Sequence, residues 1–354
     1  MFTPLAPGRA APGLARIPLF AVARTLVERY EDDLYLVKGP AAWTAVAALL
    51  IGLAALPFLL PRLGMGYLLF IAVLASANVI VAVGLNLLVG YAGLISLGHA
   101  GFVAIGAYAS GLLAARLEVP WPAAWLGAAA ISAAFGFLVG LPALRLTGPY
   151  LTIATLGFGI AVYQVLTNWT ELSGGRGGLS VPALGLGVGG MSAIQQLALV
   201  AITAAVALCW IAYNLARSHI GRALAAIRDS DIAAEVTGVS LTWYKTLAFA
   251  ISAAYAGVAG AIIAQALRHL EPQAFTFLES ITYFAMIVVG GLGTVTGGII
   301  GALLLTLIPH YLSGIKQWLP IAYGAVIIAM MLFEPQGLYG RWLRIRRYFK
   351  AWPL

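Results

Sequence analysis

Long apolar runs, separated by short polar or charged segments, recur along most of the chain. Most are close to the ~20 residues that an α-helix needs to cross the hydrocarbon core of a bilayer. The last three are shorter, so we expect bent helices or incomplete crossings there. The pattern predicts about ten membrane spans, at residues 41–60, 66–90, 93–115, 121–144, 149–168, 194–216, 245–267, 278–292, 297–313 and 319–334.

The overall composition supports this assignment and narrows the class of protein. Hydrophobic residues make up 62% of the chain and charged residues only 9%, whereas soluble domains carry roughly 25% charge. We therefore expect an all-α, polytopic membrane protein in contact with membrane lipids. Cys209 is the only cysteine, which excludes an intrachain disulfide and a cysteine-based metal site.

The basic residues are distributed unevenly between the two sides of the predicted spans. An even number of spans places both termini on one side, and that side receives fifteen of the 20 lysines and arginines. Such an excess marks the cytoplasmic side, so we attribute the net charge of +8 to topology rather than to nucleic acid binding. The resulting organisation is a cytoplasmic N-terminal segment at 1–40, a transmembrane domain at 41–334 and a basic cytoplasmic tail at 335–354.

Two segments share the pattern V-G-x-x-G-x-x-[S/T], Val89–Ser96 and Val289–Thr296. Transporters often contain internal repeats with interrupted helices close to the substrate path. Glycine-rich turns between spans can also look alike by chance, and both readings stay open. In the predicted topology the two segments cross the membrane in the same direction. The fold could still contain an internal inverted repeat, but this pair of segments is not evidence for one.

Glycine and polar residues inside the predicted spans have two physical explanations. Small residues allow membrane helices to pack closely, and hydrogen bonds between helices satisfy buried polar groups. The same residues can instead expose backbone or polar atoms to a translocation path. For His99 we expect a neutral, hydrogen-bonded side chain rather than a proton relay or a metal ligand. The candidates for the path are Asn86, Gly90, Gly93, Ser96, Thr152, Thr155, Gly291 and Gly293.

The longest internal loop, residues 217–245, has the composition of helices rather than of a loop. Ser230 can cap a helix that starts at Asp231, whose charge suits the N-terminal dipole, and Gly238 can end it. We predict a short helix over roughly 231–237 and an earlier helical piece over 220–227. So short a helix needs a surface to pack on, either this protein's own helices, lipid headgroups or a partner protein.

This loop resembles that of the membrane permeases of ATP-binding-cassette (ABC) importers, which carries E-A-A-x-x-x-G. The matching run is Ile232–Gly238, in which both alanines and the glycine fit and Ile232 replaces the first glutamate. Over roughly residues 66 to 335 the chain is similar to one branch, the LivM-type branched-chain amino acid permeases. The motifs that carry this likeness are Leu85–Ser110, Thr147–Gly157, Ser173–Leu179, the cytoplasmic loop itself and Ala248–Ala254.

The resemblance implies a transport subunit of the bacterial inner membrane rather than an enzyme. Its implied partners are two ATPase subunits that carry ATP and Mg, a second related permease and an extracytoplasmic substrate-binding protein, while this chain itself binds no cofactor. In such permeases the loop helix sits in a cleft of the ATPase. The residues implied in ATPase coupling are Arg222, Asp231, Ala233, Ala234, Glu235 and Gly238.

The function expected is therefore ATP-driven import of branched-chain or other small apolar amino acids by alternating access. The sequence has no G-x-x-x-x-G-K-[S/T] phosphate loop, so ATP hydrolysis is expected in separate chains. Urea, short amides, aromatic acids and sugars remain alternative cargoes. An integral membrane enzyme or an ion-coupled carrier remains an alternative class, although no Asp or Glu lies deep in a predicted span.

Overall fold

The protein is represented by a computed structural model that describes residues 40–143, 146, 148–183, 190–311, 318–334 and 337–351. These residues are helical over most of their length. In the described ranges the chain forms fourteen α-helices: α1 Pro40–Arg62, α2 Leu68–Asn86, α3 His99–Arg116, α4 Trp121–Ala143, α5 Pro149–Asn168, α6 Thr170–Ser173, α7 Ala193–Arg217, α8 His219–Asp229, α9 Asp231–Val236, α10 Leu241–Leu267, α11 Phe277–Gly290, α12 Val295–Tyr311, α13 Leu319–Phe333 and α14 Gly337–Ala351.

Smaller elements complete the described chain. A π-helical turn, Leu87–Tyr91, continues α2, and two 3₁₀ turns occupy Gly175–Gly177 and Pro272–Phe275. Two short antiparallel strands, β1 Leu179–Ser180 and β2 His269–Leu270, pair with Leu179 opposite Leu270.

The chain divides into two compact units, Met1–Leu53 and Ala54–Leu354. The described part of the first unit is the opening of α1, which is apolar. The second unit holds the hydrophobic core, with α10 packed against α4, α3 and α2. Small residues allow this close approach, since a Cβ on Gly106 would collide with Gly257, and one on Gly260 with Val103.

Six described helices, with the turns that continue them, are long and apolar enough to cross a membrane. They are Leu68–Tyr91, Trp121–Pro142, Pro149–Asn168, Ala193–Arg217, Leu241–Leu267 and Pro272–Gly290. Val46–Arg62 and Val295–Pro309 are shorter apolar helices. These helices are those of a multi-pass helical membrane protein. The count of ten spans and the inverted repeat stay predictions.

The predicted span 93–115 is wrong at its start, because the chain is not helical between Tyr91 and Gly98. Gly93 has a φ of +72°, a backbone conformation that glycine adopts without strain and that interrupts a helix. Two hydroxyl groups satisfy backbone N–H groups around this break. Thr155 Oγ1 accepts from the N–H of Leu97 at 3.2 Å, and Ser280 Oγ accepts from that of Ala100 at 3.0 Å.

The two ends of the predicted domain organisation are described to different extents. Residues 1–39 of the N-terminal segment lie outside the described residues. The basic tail contains α14, whose Arg344 forms an ion pair with Glu334 just before it. The cytoplasmic position of both segments stays a prediction.

Candidate functional site

The cytoplasmic loop predicted at 217–245 forms two capped helices, α8 and α9. The hydroxyl of Ser218 accepts from the N–H of Ile220 at 3.1 Å, and that of Ser230 accepts from the N–H of Ala233 at 3.3 Å. Gly238 follows α9 with a φ of +87°, as a helix-ending glycine does. The short helix that the sequence predicts here is confirmed, with its end at Val236.

One face of α9 carries two exposed apolar side chains. Ile232 is 78% exposed and Val236 is 83% exposed, and residues four apart lie on the same helix face. Ala233 and Glu235 are also exposed. Two large apolar side chains on a six-residue helix form a small contact surface that the described part of this chain leaves exposed.

The opposite face of α9 is attached to this chain. Ala234 is only 2% exposed. The Asp231 carboxylate, in the first turn of α9, forms a 2.7 Å ion pair with the Lys245 ammonium, which lies in the first turns of α10 and is 6% exposed. Because Lys245 is buried, this ion pair attaches α9 to the start of α10.

Arg228, in the last turn of α8, reaches the π-helical turn after α2. Its Nη1 donates to the backbone oxygen of Gly90 at 2.5 Å. Its side chain also covers Gly93 and Gly293, because a Cβ on either glycine would lie within about 3.2 Å of Arg228 side-chain atoms. One side chain of α8 therefore contacts both segments that carry the V-G-x-x-G pattern.

Asn86 joins the same two segments from inside the protein. Its Nδ2 donates to the oxygens of Thr294 at 2.7 Å and Gly291 at 3.3 Å, and its Oδ1 accepts from the N–H of Gly293 at 2.9 Å. Asn86 is 1% exposed. We name this cluster the glycine junction; its members are Asn86, Gly90, Gly93, Gly291 and Gly293.

The glycine junction has no space for larger residues at its centre. A Cβ on Gly90 would collide with Asn86 Oδ1 and with the backbone of Gly293. Gly291 and Gly293 have φ values of +132° and +73°, which side-chain-bearing residues rarely adopt. The two segments that carry the V-G-x-x-G pattern therefore contact each other through backbone atoms. In this conformation the side chains of Asn86 and Arg228 form hydrogen bonds with backbone groups of these segments.

The other predicted path residues lie beside the break before α3. Ser96 is fully buried. Thr155 donates to the oxygen of Thr152 at 3.0 Å and accepts from Leu97, so it connects α5 to the broken segment. The hydrogen-bonded state expected for His99 is wrong for this conformation, since among the described residues neither its ring nitrogens nor Ser96 Oγ has a partner.

A cavity of about 350 Å³ lies between the loop helices and the broken segment. Arg228, Asp231 and Lys245 line it on one side, and the chain on either side of Gly93 lines it on the other. Within the described chain, no group of three His, Cys, Asp or Glu side chains could hold a metal ion.

The family model of the branched-chain amino acid transport system permease component matches residues 67–334. The chain belongs to this family. It is similar to the high-affinity branched-chain amino acid transport system permease protein LivM of Salmonella typhimurium (36% identical over 315 residues, 82% of this chain and 73% of the relative). The LivM protein of Escherichia coli is 35% identical over 317 residues, 83% of this chain and 74% of the relative.

The second permease named in these transport systems is also similar. LivH of Salmonella typhimurium is 27% identical over 289 residues, which cover 76% of this chain and 92% of the relative. No solved structure matches the chain. The higher identity to LivM makes this chain a LivM-type ABC permease, a transport subunit of the membrane.

Of the predicted coupling residues, most lie on or beside α9 of the permease. Asp231, Ala233, Ala234 and Glu235 belong to α9, and Gly238 ends it. Arg222 lies apart, exposed on α8, where its Nη1 donates to the oxygen of Arg217 at 3.1 Å.

Sequence reasoning missed four side chains of the permease that the geometry brings out. The i, i+4 spacing of Ile232 and Val236 was the available signal for the exposed apolar pair. Lys245 and Arg228 carried no comparable signal, because their partners lie 14 and 138 residues away along the chain.

Proposed function

We propose that this permease is a transmembrane subunit of an ATP-driven importer of branched-chain or other small apolar amino acids. It resides in the bacterial inner membrane with both termini in the cytoplasm. Two ATPase subunits that bind ATP and Mg, a second permease and an extracytoplasmic binding protein complete the transporter. The permease itself binds no cofactor and works by alternating access.

The observation that carries this proposal is the exposed apolar pair, Ile232 and Val236, on α9 of a chain similar to LivM. An exposed apolar surface of this kind is typical of a contact with another protein. The sequence lacks the phosphate-binding loop of an ATPase, so in an ATP-driven importer a partner chain hydrolyses the ATP. Docking of an ATPase on this face explains both facts.

In the proposed mechanism, motion of the ATPase reaches the membrane through two contacts. The Asp231–Lys245 ion pair carries motion of α9 to α10, and the Arg228–Gly90 hydrogen bond carries motion of α8 to the glycine junction. The junction is a favourable place to receive this motion because the regular α-helix ends there in both segments, α2 at Asn86 and α11 at Gly290. The predicted path residues, from Asn86 to Gly293, then move with the junction.

Co-purification and ligand binding test the proposal. We expect tagged permease to isolate together with two ATPase subunits and a second permease. We expect isothermal titration of the cognate binding protein to show binding of leucine, isoleucine or valine. Failure of all three amino acids to bind would remove the amino acid assignment, and binding of urea, an aromatic acid or a sugar instead would identify an alternative cargo.

A further inference from the structure

The helix α14, in the basic tail, carries an exposed apolar face. Leu338, Trp342 and Ile345 are 36%, 61% and 43% exposed. They follow one another at intervals of four and three residues, so they lie on one side of the helix. We name these three residues the α14 apolar face. Tyr339 and Leu343, which lie on a different side, are half-buried, and α14 packs against α11 and α12.

The charge of α14 is entirely positive. From Gly337 to Ala351 the sequence holds five basic residues and no acidic one. Glu334, just before the helix, forms an ion pair with Arg344, and Arg341 is exposed beside the α14 apolar face. A helix with large apolar residues on one face and arginine and lysine around it is typical of helices that lie in the headgroup region of a membrane.

The start of α14 is close to the end of a membrane helix. Only residues 334–336 separate it from α13, which contains no charged residue. A Cβ on Gly337 would collide with the backbone of Gly291, a member of the glycine junction. Arg228 of α8 contacts the same junction. The start of α14 and the loop helices therefore lie at the same end of the helix bundle.

From these features we infer that α14 is a binding site for anionic phospholipid headgroups of the cytoplasmic leaflet. The α14 apolar face enters the boundary between the headgroups and the acyl chains, where tryptophan is enriched. The basic residues bind the lipid phosphates, since a guanidinium can donate two N–H groups to the oxygens of one phosphate. The helix thus attaches the C-terminal side of the glycine junction to the membrane surface.

A membrane surface accounts for this composition more fully than a partner protein does. Basic clusters that directly follow a membrane helix on its cytoplasmic side are typical of segments that bind anionic lipids. A protein partner would need a matching row of acidic residues, whereas an anionic leaflet supplies negative charge along the whole helix. The inference rests on the proposed function in one respect, the cytoplasmic position of the C-terminal tail.

Photo-cross-linking in the whole transporter identifies the molecules that lie beside α14. The transporter is reconstituted in vesicles of phosphatidylglycerol and phosphatidylcholine in equal amounts. In a Cys209→Ser background, a photo-reactive maleimide is attached to Ile345→Cys, and mass spectrometry counts the two lipids in the adducts. We expect phosphatidylglycerol to exceed phosphatidylcholine by about fivefold or more.

Two controls separate a lipid site from the general lipid environment. The same probe on Phe137→Cys, which is 40% exposed on α4, is expected to recover the two lipids in the ratio of the vesicle. The substitutions Arg341→Gln, Arg346→Gln and Arg347→Gln together are expected to reduce the enrichment at Ile345→Cys to that ratio. Glutamine preserves helix propensity, and Arg344 is retained because it pairs with Glu334.

Three results would overturn the inference. They are equal recovery of the two lipids at Ile345→Cys, adducts with an ATPase or another protein in place of lipid, and enrichment that survives the triple substitution. If one of them is found while the complete transporter imports leucine, the lipid site is wrong and the importer assignment stands. If the complete transporter with ATP imports no leucine while phosphatidylglycerol is enriched at Ile345→Cys, the proposed function fails and the lipid site stands.

Discussion

Arg228 and Gly90 lie 138 residues apart in the chain and share a 2.5 Å hydrogen bond from a guanidinium nitrogen to a backbone oxygen. Arg228 lies in the last turn of α8, and Gly90 lies in the π-helical turn after α2. The contact joins the loop helices α8 and α9, which carry the exposed apolar pair, to the glycine junction, where a membrane helix is interrupted.

We expect Arg228→Gln to uncouple ATP hydrolysis from transport. A hydrogen bond to a charged group contributes about 1.5–3 kcal/mol, so its loss should reduce transport by about tenfold or more. The ATPases should remain bound, since Arg228 does not belong to the exposed face of α9. Both transport and ATP hydrolysis are measured on the reconstituted complex.

The matched control for Arg228 is Arg116→Gln, a substitution of an exposed arginine in the last turn of α3 that also donates to a backbone oxygen, that of Leu172 at 3.2 Å. Its partners lie in α6 rather than at the glycine junction, so we expect transport close to that of the wild type. Equal losses of transport in the two variants would show that the Arg228–Gly90 bond has no special part in coupling.

The apolar pair on α9 predicts a second result. Replacing Ile232 and Val236 together by alanine should release the ATPases, because it removes most of the exposed apolar surface of that helix. We expect affinity to fall by about 2–4 kcal/mol, measured by binding of purified ATPase to the permease in detergent. The thermal stability of the isolated permease should not change, since both side chains are exposed.

A control for the apolar pair is Trp243→Ala. Trp243 is 57% exposed at the start of α10, outside α9. We expect this variant to bind ATPase as the wild type does. Loss of ATPase from the Trp243 variant but not from the α9 double variant would move the docking surface away from α9.

The ion pair between Asp231 and Lys245 should respond unequally to loss of either partner. Asp231→Ala leaves a buried ammonium without its carboxylate, which costs about 3 kcal/mol. Lys245→Met leaves a carboxylate that is 39% exposed and can be hydrated, so we expect a cost of about 1 kcal/mol or less. Thermal or chaotrope unfolding of the purified permease measures both.

The double variant Asp231→Ala/Lys245→Met decides the cause of that difference. Because it removes the buried charge together with its partner, we expect it to be more stable than Asp231→Ala alone. A double variant that is no more stable than the Asp231 single variant would mean that the loss comes from α9 itself rather than from an unpaired Lys245.

The glycine junction predicts intolerance of even a methyl group. Gly90→Ala should destabilise the permease by about 1–3 kcal/mol, because its Cβ would collide with Asn86 and Gly293. Gly324→Ala in α13 is the control, since a Cβ there meets nothing within 4 Å. It should be neutral or stabilising by up to ~1 kcal/mol. Thermal unfolding in detergent measures the two, and equal stabilities would contradict the packing described.

Much of this fold follows from local patterns in the sequence. Apolar length placed most of the membrane helices to within a few residues, and Ser230 with Gly238 placed α9, because caps and helix ends depend on neighbouring residues. The shared V-G-x-x-G pattern also singled out Gly90 and Gly293, although their contact with each other did not follow from it. The likeness of the two segments is not evidence for an inverted repeat.

The remaining features depend on contacts between distant residues. The helix break at 92–98 lies within an apolar run, and hydroxyl groups of Thr155 and Ser280 satisfy its backbone. The sequence places a boundary between two predicted spans at the start of this break, near Gly90 and Gly93, but it carries no signal for the extent of the break to Gly98. The Asp231–Lys245 ion pair likewise orients α9, so that Ala234 is buried while Ile232 and Val236 are exposed. The sequence of the loop alone does not indicate this orientation.

The most direct test of the central claim is uptake of labelled leucine into proteoliposomes. The permease is reconstituted with its ATPases, its second permease and its loaded binding protein, with ATP on the ATPase side. We predict uptake only when every component and ATP are present, and loss of uptake with the Ile232/Val236 alanine variant. Leucine uptake by the permease alone, without ATP or partners, would contradict the assignment as an ATP-driven importer subunit.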